Sequence, residues 1–183
     1  MERKFEIVTK YQDSGITLPR RTTSCSAGYD ICAAEDTVVP SLLTPSLLKH
    51  INTYYDRIYN DSDKLREIQD FVRTTVKPTL VPTGIKVKMP KDDCLMLYNR
   101  SSNPIKRNLV LANGVGVIDS DYYNNETNEG EIFGSFYNLS PRSYCIKKGE
   151  RIMQGIFQQY MLTADDDSSA ARTGGFGSTD EEK

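Results

Sequence analysis

Tryptophan is absent from the 183-residue chain, and histidine occurs once, as His50. One imidazole excludes mechanisms that pair two histidines and zinc sites built on several of them. The four cysteines, Cys25, Cys32, Cys94 and Cys145, form no C-x-x-C pair and have no histidine beside them. That excludes a zinc ribbon or dithiol redox motif and fits reduced thiols. No run approaches the roughly 18 apolar residues of a membrane span, and Met1 to Lys10 is charged where a secretory signal is apolar, so a cytoplasmic protein without a membrane partner is expected. Positive charge is not in excess either: 23 Lys and Arg against 25 Asp and Glu give a formal charge of −2. No global field therefore draws duplex nucleic acid, and a phosphate ligand has to be met by local donors. Chemistry is left to carboxylates, hydroxyls, arginines or a metal bound by oxygen.

What is present is a soluble composition, 38% hydrophobic and 26% charged, on a chain long enough for one domain with an insertion. Residues 1 to 39 carry short strand-like runs, Phe5-Glu6-Ile7-Val8 and Thr37-Val38-Val39. The period then changes. Leu47, Ile51, Tyr54 and Ile58 recur at helical spacing behind a Thr44-Pro45 N-cap and N1 pair, and Leu65, Ile68, Val72 and Val76 follow behind Asn60-Asp61-Ser62 and stop at Pro78. The segment from about 41 to 78 reads as a helical hairpin inserted into a β domain, with His50 on its first helix. From Leu80 alternation returns: Thr83 to Met89, Cys94 to Tyr98, Leu109 to Leu111, Val115 to Ile118, Glu131 to Tyr137, Ser143 to Ile146 and Ile152 to Tyr160 are strand candidates, with Asp92-Asp93 as a turn. Many short strands joined by turns predict an all-β sandwich or jelly roll over 1 to 163, and residues 164 to 183 read as a flexible tail.

Four constellations could carry chemistry. In Arg172-Thr173-Gly174-Gly175-Phe176-Gly177-Ser178-Thr179, glycine N–H groups, hydroxyls and a guanidinium make a phosphate cradle, and Phe176 is left to stack on a ligand; the same composition also suits a disordered tail. Arg100-Ser101-Ser102 is a compact donor set, though such residues also fill ordinary turns. The glycines of Gly114-Val115-Gly116-Val117-Ile118-Asp119 permit close approach of a flat ligand, and Asp119, following an apolar run, is placed to orient a water; a plain hairpin fits the pattern equally well. Asp30 in Ala27-Gly28-Tyr29-Asp30 could offer a hard oxygen to magnesium, or simply close a turn.

The order of these segments resembles the five motifs of the homotrimeric dUTPases, in their phage and Gram-positive branch. Ala27 to Ala34 matches the first, Arg100-Ser101-Ser102 the second, Asn113 through Tyr122 the third, Gly149-Glu150-Arg151-Ile152-Met153-Gln154 the fourth and Gly174 to Thr179 the fifth. The resemblance implies a distorted jelly roll assembling as a homotrimer with shared active sites, and hydrolysis of dUTP to dUMP and pyrophosphate with Mg²⁺, which supplies dUMP for dTMP synthesis and keeps uracil out of DNA. It implies Asp119 as general base and Asp30 as the carboxylate holding hydrated Mg²⁺ through water. Tyr122 would pack under the deoxyribose and exclude a 2′-hydroxyl. Asn113, Gly116, Val117 and Ile118 would line the uracil hairpin; Arg100, Ser101, Ser102 and Gln154 would bind phosphate oxygens. Gly175, Phe176 and Gly177 would close over the base, with Arg172 and Ser178 on the terminal phosphates. Arg151 is expected to fix the tail and not to touch substrate.

Two departures stand out: Arg172 lies one residue off its usual place relative to the Gly-Gly pair, and an insertion follows Tyr122. The related dCTP deaminases need a glutamate near Gly134-Ser135-Phe136-Tyr137-Asn138, and none is present there. A rival of another class is a regulatory protein partner docking on the helical insertion.

Overall fold

A computed structural model describes residues 2–49, 66, 67, 70, 72–74 and 76–169. Eleven strands are found among them: β1 Lys4–Ile7, β2 Tyr29–Cys32, β3 Thr37–Val39, β4 Thr79–Pro82, β5 Ile85–Lys88, β6 Asp93–Asn99, β7 Leu109–Leu111, β8 Val115–Asp119, β9 Phe133–Asn138, β10 Tyr144–Ile146 and β11 Arg151–Gln159. All the ladders are antiparallel. A four-stranded sheet runs β2-β11-β6-β8, a three-stranded sheet runs β4-β9-β7, and β1-β5 and β3-β10 form two-stranded ladders. This is the expected jelly-roll-like all-β architecture.

Alternation explains the burial. In β8 the side chains run exposed, buried, exposed, buried, exposed, and in β9 every second residue is buried. The inward set, among it Ile31, Val39, Val81, Ile85, Leu95, Leu109, Phe136, Ile146, Ile152 and Met153, forms one core between the sheets. Each such side chain removed from water contributes about 1.5–3 kcal/mol, which is what holds short strands with modest individual propensity together.

Three local readings need correction. Tyr29 to Cys32 is a strand and not a turn, and Thr79–Pro82 adds a strand before Thr83. Asp93 is not a turn residue: it begins β6, fully buried, with the Arg3 guanidinium against its carboxylate.

Within the insertion, residues 45–49 are helical and the Leu47 N–H donates to Thr44 Oγ1 at 3.2 Å, so Thr44 caps the helix as its position predicts. Residues 66, 67, 70 and 72–74 are helical too, ahead of β4. His50 and most of the apolar repeat, Ile51, Tyr54, Ile58, Leu65 and Ile68, lie outside the described residues, as does the end of the tail, including Arg172, Gly175, Phe176, Gly177 and Ser178.

Candidate active site

One end of the four-stranded sheet gathers a cationic cluster. Asp30 of β2 lies opposite Gln154 of β11, which lies opposite Tyr98 of β6, so three strands bring the first, second and fourth motifs to one edge. Arg100 follows β6 and donates through Nε to Asp30 Oδ1 at 3.1 Å, and through Nη1 to the Arg151 carbonyl at 3.3 Å. Arg151 Nη1 and Thr22 Oγ1 both donate to Asp30 Oδ2, at 3.1 and 3.0 Å. One carboxylate against two guanidinium groups leaves the cluster positive, supplying locally the attraction for phosphate that the overall charge lacks. Ser102 Oγ is buried beside this cluster without a hydrogen-bond partner among the described residues, whereas Ser101 is exposed. A buried hydroxyl left in that state is costly unless a ligand or neighbour completes it. Cys32 adds nothing anionic, since burial pushes its thiol above the ordinary value.

A turn places Arg100 and Ser102. Asn103 is fully buried and donates from Nδ2 to Asn99 Oδ1 and to the Ile152 carbonyl, both at 2.7 Å, while its N–H meets the Arg100 carbonyl at 2.9 Å. This ties the end of β6 to β11. Arg107 extends the tie, donating to Asn103 Oδ1 at 2.8 Å and pairing with Glu150 Oε1 at 2.9 Å. Asn103 carried no signal in the sequence beyond following Ser102; its role follows from three contacts that only the fold creates. Arg151, expected from the sequence to fix the tail, pairs with Asp30 here, and the end of the tail lies outside the described residues; Thr22 had no signal at all.

Whether Asp30 suits magnesium can be read from its donors. Two carboxylate oxygens offer about four lone-pair positions, and three are taken, two of them by guanidinium groups. A bare cation in direct contact would face both arginines, so inner-sphere ligation does not fit. An ion that keeps its water shell, as Mg²⁺ prefers, and takes its other ligands from substrate phosphates does fit the one remaining position. Among the described residues no group of three or more His, Cys, Asp or Glu side chains could hold an ion by itself.

The third motif forms a separate half. Between β7 and β8 the chain turns at Asn113-Gly114, with the Val115 N–H donating to the Asn113 carbonyl at 2.7 Å. Gly116 packs tightly here: a Cβ would lie 3.2 Å from the Leu97 side chain and 3.3 Å from Asn113 Nδ2, so either neighbour would have to shift to admit one. Behind the hairpin is a narrow, mostly apolar slot of about 50 Å³, bordered by Asn113, Gly116, Val117, Ile118, Ser135 and Met153 among others. Asp119 ends β8 on the exposed face, beyond Val115 and Val117, and Tyr122 turns back into the core at 5% exposure.

The two halves do not meet within one copy. Asp119 is opposite Cys94 at the start of β6, whereas Asp30 is in line with Tyr98 and Val115. Three strand spacings across and four residues along put Asp30 and Asp119 about 20 Å apart. A water held by Asp119 must be about 3 Å from the atom it attacks. A phosphate seated on Arg100 and Ser102 is beyond reach of the same copy's Asp119.

The chain is similar to known proteins in both sequence and fold. The family model for dUTPase matches residues 65–180. The deoxyuridine 5'-triphosphate nucleotidohydrolase of Lactococcus lactis subsp. lactis (strain IL1403) is 41% identical over 179 residues, covering 97% of each chain. Among solved structures, the dUTPase from Streptococcus mutans superposes with a TM-score of 0.65 at 36% identity, covering 87% of this chain and 97% of that one. A dUTPase from phage phi11 of S. aureus, whose structure reveals coordination of a structural Mg(II) ion, shares the fold with a TM-score of 0.59 at 15% identity, over 93% of this chain and 98% of its own.

Proposed function

The chain belongs to the dUTPase family and hydrolyses dUTP, and from that premise we propose that it does so by water attack on the α-phosphorus in a site shared between copies of a homotrimer. Asp119 of one copy orients the water and takes its proton as the new P–O bond forms; the bridging bond to the β-phosphate breaks, leaving dUMP and pyrophosphate. Arg100, Ser102 and Gln154 of another copy bind phosphate oxygens, with Arg151 held beside them through Asp30. Uracil enters the slot behind the Asn113–Ile118 hairpin, whose tightness at Gly116 leaves little room for a 5-methyl group. Tyr122 lies under the sugar. Hydrated Mg²⁺, held through water by Asp30 and by the substrate's phosphates, would offset negative charge on the triphosphate. The tail residues Arg172, Gly175, Phe176, Gly177 and Ser178 complete the proposal as the closing segment. The product serves dTMP synthesis, and we assign this work to the cytoplasm of a bacterial cell or phage-infected host.

The observation that carries the shared site is the separation of the halves on one rigid sheet. Its outward face also displays Val115 and Val117, the latter 55% exposed, which suits coverage by a second copy. The test is pyrophosphate release with dUTP, UTP, dTTP and dCTP, for wild type and Asp119→Asn. Strong preference for dUTP and a loss of about 10³-fold in kcat for the variant are expected; equal turnover of UTP, or full activity of the variant, overturns the assignment. A second reading, a docking role for the helical insertion, draws on Leu43, Leu48 and Val72, each exposed in a single copy. Loss of a bound partner on substituting these residues, with turnover unchanged, would distinguish it.

A further inference from the structure

The insertion that follows Tyr122 folds into a small closed knot. The Asn124 N–H donates to the Glu129 carbonyl and the Glu129 N–H to the Asn125 carbonyl, both at 3.0 Å. Asn125 Oδ1 accepts the N–H groups of Thr127 and Asn128 at 3.0 and 3.1 Å, an Asx turn that shapes the loop locally. Outside contacts pin the knot to the sheet: Glu129 Oε2 accepts from the Thr9 N–H and hydroxyl and pairs with Lys86, which also donates to Asn124.

What the knot grips is Tyr122. Asn125 Nδ2 donates to the Tyr122 carbonyl at 2.9 Å. Asn128 Nδ2 donates to the Tyr122 hydroxyl oxygen at 2.8 Å, and the hydroxyl donates onward to the Glu131 carbonyl at 3.1 Å. Asn128 Oδ1 is itself held by Asn125 Nδ2 at 2.8 Å and by the Gly130 N–H at 3.1 Å, so the amide is fixed in orientation. Gly130, at a φ of +81°, closes so tightly that a Cβ would lie 2.6 Å from the Tyr122 carbonyl oxygen. The tyrosine is thus held at its backbone by Asn125 and at its far tip by Asn128.

We propose that Asn128 is a specificity-determining positioning residue: by locking the tip of the Tyr122 ring it makes that ring an immovable floor under the sugar, and so sets the preference for deoxyribose over ribose. The inference rests on the reading of Tyr122 given above and deepens it. A steric filter rejects an extra hydroxyl only as firmly as the wall resists displacement; a ring free to retreat by about 1 Å accommodates it. The insertion is then part of the selectivity apparatus and more than a surface embellishment.

The experiment compares kcat/KM for dUTP and UTP, by pyrophosphate release, in the full-length chain carrying Asn128→Ala, Tyr122→Phe, both together, and Tyr122→Ala. Asn128→Ala and Tyr122→Phe cut the same hydrogen bond from opposite sides, and each is expected to narrow the dUTP/UTP ratio about fivefold. The double variant should narrow it no further than Tyr122→Phe alone. A purely structural role for Asn128 would lower thermal stability and leave the ratio where it was. An unchanged ratio in Asn128→Ala, or effects that multiply in the double variant, overturns the inference. If Tyr122→Ala narrows the ratio while Asn128→Ala and Tyr122→Phe do not, the ring filters the sugar and Asn128 does not hold it. If Tyr122→Ala keeps the wild-type ratio, the tyrosine is no filter and both readings fall. Should Asn128→Ala fail to fold, Tyr122→Phe alone decides, with an unchanged ratio counting against.

Discussion

Arg100 reaches across the sheet to Asp30, Nε to Oδ1 at 3.1 Å, while Arg151 takes the other oxygen. The carboxylate therefore pre-orients two cations that would otherwise repel, and in the proposed site it aims them at an incoming phosphate. Because Arg151 is half exposed, the pair's contribution to stability is screened.

Replacing Asp30 with asparagine should separate the two arginines without removing either. We expect kcat/KM for dUTP to fall by about 10- to 100-fold, mostly through KM, with a small change in melting temperature. Steady-state kinetics with thermal melts on the same preparation check it; a fall in kcat alone would mean that Asp30 acts in the chemical step.

Mixing two inactive variants should restore activity. In the proposed shared site Asp119→Asn damages one half and Arg100→Ala the other, with the two halves supplied by different copies. Random reassembly of an equal mixture should return about a quarter of wild-type sites. Activity measured after joint refolding checks this, and none would be recovered if each copy held a complete site.

Glu131 is buried, with the Gly84 N–H on its Oε1 at 3.1 Å. Burial pushes its carboxyl above the ordinary value, the Gly84 hydrogen bond only partly opposing. A carboxyl raised on folding contributes stability below its unfolded pKa, and that contribution is lost as pH rises through the folded value. Glu131→Gln keeps the acceptor and removes the charge. The variant should melt higher than wild type at pH 8, with the difference closing towards pH 4.

Asp93 has no exposed surface, and Arg3 is its cationic partner. Arg3→Ala should lower stability, by less than the loss of a fully buried pair because the Arg3 side chain is 42% exposed. Adding Asp93→Asn to that variant should recover part of the loss, since the uncompensated charge is then gone. Urea unfolding of the single and double variants measures both effects.

Strands such as Ile85–Lys88 and Val115–Asp119 were legible because their alternation matches the two-residue repeat of a half-buried sheet. Thr44 was legible as a cap because capping is local. Tyr29 to Cys32 was not: Asp30 interrupts its apolar pattern, and the charge is tolerated only because Arg100 and Arg151, 70 and 121 residues onward, arrive to pair with it. Thr79–Pro82 hid behind prolines, which a sheet accepts on an edge strand such as this one. Asp93 read as a turn until Arg3, from the far end of the chain, supplied its counter-charge.

The residue types and their order were written in the chain: two carboxylates, an arginine with adjacent serines, a glycine hairpin and a single imidazole, His50, outside all of them, a set that constrains the chemistry before any folding. Only the tertiary structure could decide which of these meet. Antiparallel pairing places Asp30, Arg100 and Gln154 at one edge and carries Asp119 to the other, because strand rise and spacing are nearly invariant and no side chain spans the gap. The same folding turned an apparent interruption after Tyr122 into the clamp on its ring, since Asn128 gains its function from where the loop returns and not from its neighbours in sequence.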